Sequence, residues 1–409
     1  MTTGPGRAAS ASAAPGSRRS LGVLFGVVIV DLVGFGVVMP ILPFYAKEHQ
    51  ASATLLGLVF TAYAAAQFVC APLWGRLSDR VGRRRVMLCT IAGTAFSLLL
   101  LGLARSLAEI FAARLLAGAF AANIGVASAY IADVTGEEER TRWMGLLGAS
   151  FGVGFVLGPA LGGLLAPFGH AVPLFVAAGM GGANLLFALS SLREPPRHAG
   201  ERDGAVRRSA VLRDPLVRRL CLVNLAFSLG VTQLETMFAF FLSDRFGYGE
   251  RQLGFFLAGM AVLMGAIQGG GMRTLSARYP ERTLILGGGA LLAAGFALLP
   301  ETRSLAGLVA ALVVAAVGRA VFQPALMGMT SIAAAAGSRG AVMGSFQSAA
   351  AIARVAGPLA AGWLYDRTHS GPFWLASALC AAVVWLGGAL PQRSPGEAAE
   401  LAAPPPQPS

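Results

Sequence analysis

Long apolar runs alternate with short polar segments along most of the chain. A membrane-spanning α-helix needs about 20 mostly apolar residues, and twelve runs meet that need. The predicted helices cover residues 21–45, 53–74, 86–104, 107–132, 145–166, 172–191, 217–242, 252–272, 283–300, 305–330, 342–364 and 371–391. The pattern therefore predicts an all-α membrane protein with twelve transmembrane helices.

One long polar stretch divides the twelve runs into six and six. This division predicts a first six-helix bundle at 21–191, a cytoplasmic central loop at 192–216 and a second six-helix bundle at 217–391. The composition of the two ends predicts a disordered N-terminal tail at 1–20 and a disordered C-terminal tail at 392–409. The two bundles also share short similar sequences: Leu77–Arg80 recurs in part as Leu275–Arg278, and Gly158-Pro159 recurs as Gly357-Pro358. The two offsets, 198 and 199 residues, indicate a duplicated unit and hence two pseudo-symmetric bundles.

The charges agree with a membrane location and give it an orientation. Only 13% of the residues are charged, too few to cover a soluble protein of 409 residues. If the N-terminus is cytoplasmic, 23 of the 32 Lys and Arg fall in inner segments and six in outer ones, which predicts cytoplasmic termini. This bias also accounts for the net charge of +12 without nucleic acid. Abundant Ala and Gly, with Arg used almost throughout in place of Lys, are typical of a bacterium with GC-rich DNA. They therefore predict a bacterial inner membrane as the location.

The sequence carries no motif for nucleotide binding, metal binding or enzymatic catalysis. The chain has no G-x-x-x-x-G-K-[ST] phosphate loop, and its single lysine is Lys47, so we expect no nucleotide. The four cysteines lie in apolar runs without a C-x-x-C pair, and the four histidines lie in predicted loops, so we expect no metal. No nucleophile–base arrangement is apparent, so we expect no enzymatic activity and no cofactor.

The loop between the second and third helices has a distinctive pattern. Its glycines permit a tight turn, and Asp79 can accept backbone N–H groups at a helix N-terminus or pair with an arginine. Asp133, at the inner end of the fourth helix, is expected to pair with this loop and stabilise the outward-facing state. The loop residues are Gly75, Asp79, Arg80, Gly82, Arg83 and Arg84.

This loop resembles the signature of the major facilitator superfamily, and the resemblance extends over residues 21–391. It implies the major facilitator fold, with the loop acting as a conformational latch. The second-half copy has Ala277 where the signature has aspartate and Pro280 where it has glycine, which puts a latch there in doubt.

A glycine-rich segment of the fifth helix is expected to pack closely against other helices. It resembles the helix-5 motif of the superfamily's drug/proton antiporters, which implies export; ordinary small-residue packing is the alternative. The motif residues are Gly154, Gly158, Pro159, Gly162 and Gly163, with Gly357 and Pro358 as the second-half counterpart.

Asp31 lies near the middle of the first helix, where an ionised carboxylate costs about 2.5–3.5 kcal/mol. Its surroundings resemble the helix-1 pattern of twelve-helix drug/proton antiporters, including the tetracycline-efflux type. Arg114 resembles their helix-4 arginine, which is implicated in proton coupling. We therefore expect an Asp31–Arg114 pair that a proton disrupts, with a static ion pair as the alternative.

The second bundle carries three more charged residues within its helices: Glu235, Arg319 and Arg354. Such residues usually face a cavity. Glu235 is expected either to bind a cation or a second proton, or to pair with one of the arginines. Arg354 is a candidate for contacting an anionic substrate. The predicted substrate cavity comprises Asn123, Gln233, Glu235, Arg319, Gln323 and Arg354.

These features together predict a monomeric exporter of drugs or similar small molecules, driven by the proton gradient through alternating access. One alternative is a metabolite or sugar exporter or facilitator with another type of coupling. The other is a transporter-like receptor or assembly protein, which five intramembrane charges disfavour.

Overall fold

The computed structural model describes residues 15–195, 211–334 and 338–392, and within them every regular element is helical. Seven α-helices form the first half: α1 Pro15–Glu48, α2 Ala53–Val81, α3 Arg83–Leu103, α4 Leu107–Phe120, α5 Asn123–Val134, α6 Glu137–Leu165 and α7 Ala171–Ser191.

Seven more form the second half: α8 Pro215–Phe246, α9 Glu250–Ala266, α10 Met272–Arg278, α11 Glu281–Leu298, α12 Leu305–Ala333, α13 Arg339–Arg367 and α14 Gly371–Gly387. A π-helical turn at Ile267–Gly271 joins α9 to α10, and short 3₁₀ turns follow α6 and α11.

Each predicted transmembrane run corresponds to one helix or one interrupted helix, although α14 ends at Gly387, before the predicted limit at residue 391. Ten helical segments are long and apolar enough to cross a membrane, including the interrupted segments Leu107–Val134 and Glu250–Arg278. The shorter apolar helix α14 and the arginine-bearing helix α13 bring the total in the described ranges to twelve. Most helices extend beyond their predicted limits.

The tail prediction was partly wrong, because α1 begins at Pro15 and residues 15–20 are therefore helical. The rest of the predicted tails and most of the central loop lie outside the described residues.

Side chains that cap helix N-termini mark several of the helix starts. Four caps accept a backbone N–H from the first turn, which satisfies donors that the helix itself leaves unpaired. The caps are Ser52 for α2, Ser106 for α4, Asp214 for α8 and Ser304 for α12. Gly82 joins α2 to α3 with φ +115°, and a Cβ there would overlap the Glu194 carboxylate, so this turn requires glycine.

The halves meet at one end of the molecule, which we call the closed end. There the α1–α2 connection contributes Ala46, Ala51, Ala53 and Leu56 to the apolar core of the second half. A Cβ on Gly57 of α2 would overlap the Pro358 carbonyl of α13, and one on Gly163 of α6 would lie 3.1 Å from Gly254 Cα of α9. These glycines therefore let helices from different halves approach closely.

At the opposite end the same helices separate. A Cβ on Gly148 or Gly152 of α6, or on Gly265 of α9, would meet no atom within 4 Å. On α13, Gln347 and Arg354 are two turns apart on one face and exposed, whereas Pro358, one turn further on, is buried. The halves thus enclose a cleft that narrows toward the closed end; we call the other end the open end.

Candidate functional site

Asp31 of α1 is held by an uncharged partner. Asn123 Nδ2 donates a 2.8 Å hydrogen bond to Asp31 Oδ1, and the Asn123 side-chain oxygen accepts from the Thr90 hydroxyl. Asn123 is buried, whereas Asp31 is partly accessible. The carboxylate therefore sits in a fixed polar site that remains open to exchange with the cleft.

A break in the fourth membrane segment places Asn123 beside Asp31. The helix stops at Phe120 and restarts at Asn123, which frees carbonyl groups in a region without bulk water. Side chains of α2 satisfy two of them: Trp74 Nε1 donates to the Ala119 carbonyl at 2.7 Å, and Gln67 Nε2 donates to the Ala121 carbonyl at 3.1 Å.

Arg114 does not form the expected pair with Asp31. Among the ion pairs of the described residues none joins them; the Arg114 guanidinium instead lies 4.2 Å from the centre of the Tyr63 ring. Its side chain is only 4% exposed, and a desolvated cation–π contact of this kind contributes about 2 kcal/mol. In this conformation the two charges are held apart by different neutral partners.

The second half pairs its charges directly. Arg319 of α12 donates a 2.7 Å hydrogen bond to Glu235 of α8, which selects pairing among the predicted roles of Glu235. The Glu235 side chain is 47% exposed although nearly all its neighbours in α8 are buried, so the pair faces the cleft.

The remaining cavity candidates divide into two groups. Arg354 and Gln323 are exposed in the cleft. Gln233 is 1% exposed and donates to the Leu229 and Gly357 carbonyls, so in this structure it joins α8 to α13 and does not line the cavity. Asn123 is likewise a buried partner of Asp31 and not a wall of the cleft.

Polar contacts across the closed end reinforce the apolar packing there. Lys47 forms a 2.7 Å salt bridge with Asp244, and the Tyr365 hydroxyl donates to the same carboxylate at 2.9 Å. Asp366, at the end of α13, accepts the backbone N–H groups of Ala53 and Thr54 at 2.9 and 2.8 Å. The second half therefore caps the N-terminus of α2, where the helix dipole favours an anion.

His170 is the third polar link at this end. Its Nδ1 lies 2.7 Å from Glu250 of the second half, and its Nε2 lies 3.4 Å from Glu48. The hydrogen bond to Glu250 raises the pKa of His170 above its ordinary value, partial burial opposes this, and the Glu250 and Glu48 charges raise the pKa further. The Tyr45 ring packs beside the imidazole. Protonation of His170 therefore strengthens the junction of the halves.

The predicted latch loop lies at the open end, where Arg83 and Arg84 contact residues of the first half. Arg83 pairs with Asp79 at 2.6 Å and with Asp133 at 2.8 Å, so the expected contact between Asp133 and the loop forms. It forms here while the halves are separated at this end. Arg84 donates from its guanidinium to the Leu189 carbonyl.

The glycines of the fifth-helix motif lie at two helix contacts. A Cβ on Gly158 would be 2.5 Å from Gly36 Cα, and Gly154 and Gly162 face Leu32 and Val37, so this face of α6 packs on α1. Gly163 instead faces α9, as described above. The second-half counterpart, Gly357, packs against Thr232 of α8. The motif thus joins α6 both to its own bundle and to the other one.

Sequence reasoning did not single out Tyr63, Thr90, His170 or Asp366. Tyr63 and Thr90 had no identifying signal, because an aromatic or hydroxyl residue in an apolar run is ordinary. Asp366 ends a predicted helix next to Arg367, and His170 lies in a short loop, so a polar side chain at either position is expected simply to contact water. Within the described residues no three His, Cys, Asp or Glu side chains are placed to hold a metal ion.

Comparisons with known proteins agree on one family. The family model described as Major Facilitator Superfamily matches residues 24–300 and 272–408. Tetracycline resistance protein, class D, of Salmonella ordonez is 31% identical over 360 residues, covering 85% of this chain and 91% of that protein.

Two solved structures have the same architecture. The human organic anion transporter MFSD10 (TETRAN) superposes with TM-score 0.68 at 29% identity and covers 91% of this chain and 100% of its own. A bacterial homologue of the lysosomal transporter Spinster, in an inward-facing and occupied conformation, superposes with TM-score 0.73 at 16% identity and covers 95% and 97%. The predicted all-α fold of two six-helix bundles is confirmed.

Proposed function

This chain belongs to the major facilitator superfamily, and we propose that it exports small molecules, drugs among them, in exchange for protons. As a member of this family it is a multi-pass membrane transporter of small molecules and not an enzyme. Direction and coupling are the proposed parts. Resemblance to tetracycline resistance proteins supports export, and the site around Asp31 supports proton coupling.

The observation that carries proton coupling is the separation of Asp31 from Arg114. A carboxylate in a salt bridge with an arginine must break that bridge to bind a proton, whereas Asp31 here is bonded to the neutral Asn123 and is partly accessible from the cleft. The arginine is held away from Asp31, over the Tyr63 ring, and the pair with Asp31 is the second arrangement that we propose. Two alternative arrangements of the same charges are what a proton-operated switch requires.

The proposed cycle follows from these two arrangements. In the outward-open state Asp31 pairs with Arg114; a proton from outside neutralises Asp31, Arg114 moves to Tyr63, and the outward gate closes. The conformation described above, with Arg114 over Tyr63, supports an inward-open state as the product of these steps. Substrate then enters from the cytoplasm, the proton leaves inward, and the pair reforms as the cleft opens outward. Each net charge moved gains or loses about 2.3 kcal/mol per 100 mV of membrane potential.

We assign the open end to the cytoplasm, which places both termini inside a bacterial inner membrane. This assignment is supported by the arginines, which are in excess in the segments at the open end, such as the Asp79–Arg84 loop. Cytoplasmic segments of membrane proteins carry such an excess of Lys and Arg. The closed-end contacts of Lys47, His170 and Asp366 then form the outward gate. We propose that a monomer completes the cycle, since each half supplies one wall of the cleft.

The test is proton movement triggered by substrate in everted membrane vesicles, comparing wild type with Asp31→Asn. A panel of tetracycline, ethidium and an aromatic carboxylate is added to vesicles with an established proton gradient, and proton release is followed by a fluorescent pH indicator. Asp31→Asn keeps the hydrogen-bonding shape but cannot ionise, so we expect transport-linked proton release to disappear. Glu301→Gln, a carboxylate change at the exposed end of the 3₁₀ turn after α11, is the matched control.

Proton release that persists in a folded Asp31→Asn protein would remove Asp31 from the coupling step. Wild-type transport that is insensitive to the proton gradient would instead favour a facilitator or exporter of another coupling type.

A further inference from the structure

The five charged side chains inside the membrane differ in whether they are free to meet a substrate. Asp31 is bonded to Asn123, Arg114 is buried over Tyr63, and Glu235 and Arg319 form a salt bridge. Arg354, within the described residues, has neither a hydrogen bond nor a salt bridge, and it is exposed. Its partners are therefore water or a ligand.

Arg354 lies at the narrow end of the cleft and not on the lipid-facing side. On α13 the exposed face that includes Gln347 ends at Arg354, because Pro358, one turn further on, is buried. The carbonyl of the neighbouring Val355 accepts a 2.9 Å hydrogen bond from the Thr61 hydroxyl of α2. The Arg354 charge is within electrostatic range of Glu235 on α8 and Tyr63 on α2. It thus lies between the two halves.

An aromatic wall faces this position from the first half. Phe35 lies 5.8 Å from Tyr63 and 6.3 Å from Phe155, and Phe155 lies 6.4 Å from Phe151, as measured between ring centres. All four rings are partly exposed. Partly exposed aromatic side chains favour flat apolar ligands, which gain contact area and ring stacking.

We propose that the cleft takes small aromatic molecules bearing an anionic group, with the ring against the Phe35–Phe155 wall and the anion on Arg354. A guanidinium presents paired donors that fit a carboxylate or sulfonate, and Glu235 does not compete because Arg319 holds it. This assignment rests on the proposed function as a transporter of drug-like molecules and adds the charge class of its substrates.

The test measures binding by isothermal titration calorimetry on the full chain in lipid nanodiscs, with empty nanodiscs as background. The probes are 2-naphthoxyacetate and its neutral amide, 2-naphthoxyacetamide, which share the ring system. We expect wild type to bind the acid more tightly, and Arg354→Gln to weaken the acid by about 10- to 100-fold, as expected for losing a charge-assisted bond. The amide should bind Arg354→Gln and wild type alike.

Two further variants separate charge from folding. Arg354→Lys keeps the cation and should retain most of the preference for the acid. Arg367→Gln removes an arginine from the same helix that stacks on Trp363 at 3.5 Å, outside the cleft, and should change neither affinity.

The proposal is overturned if wild type binds the acid no better than the amide, including the case in which it binds neither at millimolar concentration. It is also overturned if Arg354→Gln leaves the preference unchanged or weakens both probes equally. Binding needs no proton gradient, so loss of the acid preference leaves Asp31 coupling untouched, and failure of Asp31 coupling leaves this result standing.

Discussion

The two halves of the transporter carry similar charged residues and arrange them in opposite ways. In the first half, Asp31 and Arg114 are apart, each held by an uncharged side chain. In the second half, Glu235 and Arg319 are joined in a salt bridge 2.7 Å long that faces the cleft. The duplicated fold therefore does not imply duplicated roles.

This difference distinguishes the charges that are free to change partners from those that are not. In the second half a cation holds the carboxylate directly, since Arg319 lies 2.7 Å from Glu235. A carboxylate bonded to an amide lacks that restraint. Under the proposed function the mobile proton therefore belongs to the first half, and the second half contributes a fixed pair and Arg354.

Removing the neutral partner of Asp31 should give the largest effect. Asn123→Leu keeps the number of side-chain heavy atoms but removes the donor that bonds the carboxylate. A hydrogen bond to a charged group contributes about 1.5–3 kcal/mol, so we expect proton-driven transport to slow by about 10- to 100-fold. The measurement is the initial rate in everted vesicles, normalised to the amount of protein.

Asn184→Leu is the matched control, because Asn184 is also buried in the first half and donates to the Val27 carbonyl at 2.9 Å. It should lower thermal stability without altering the number of protons moved per substrate. Equal transport losses in both variants would mean that Asn123 is only a packing residue.

A smaller effect is expected from the second-half pair. Because Glu235 and Arg319 are partly exposed, their coupling should be about 1 kcal/mol in a double-mutant cycle of thermal unfolding. Glu235→Gln combined with Arg319→Gln should leave proton release linked to substrate. A double variant that transports without moving protons would shift the coupling step to the second half and reverse the comparison.

The smallest effect concerns His170, where the halves meet. Its pKa is raised by Glu250, so the stabilising charge is fully present below the ordinary histidine pKa and is lost as pH rises through the raised value. The closed end should therefore loosen on alkalinisation. We would measure spin-label distances between cysteines replacing the exposed residues Arg105 and Arg303, in a background lacking the native cysteines.

His170→Gln should flatten this pH dependence while leaving proton transport through Asp31 intact. A wild-type distance that does not change with pH would show that His170 does not regulate the gate.

The sequence predicts the fold almost completely, because twelve apolar runs and a positive-inside bias are set by the bilayer itself. It also identifies Asp31, Arg114, Glu235, Arg319 and Arg354, since a charge inside an apolar run is conspicuous. The residues it predicts least well are the neutral ones: Gln233 was expected in the cavity and is buried between helices.

The pairing of the charges could not be read from spacing. Asp31 meets Asn123 only because the fourth segment breaks at Ala121–Ala122, and no proline marks that break. The gate contacts, such as Asp366 with the start of α2, join residues more than 300 positions apart and depend on how the two bundles close. Such contacts belong to one conformation and leave no local signal in the chain.

The most direct test of the account compares the two carboxylates in one experiment. Purified protein in weakly buffered solution is mixed with a transported compound identified in the vesicle assay, and proton release is measured for wild type, Asp31→Asn and Glu235→Gln. We predict release by wild type and Glu235→Gln and none by Asp31→Asn. Release by Asp31→Asn together with its loss in Glu235→Gln would contradict the assignment of the proton to the first half.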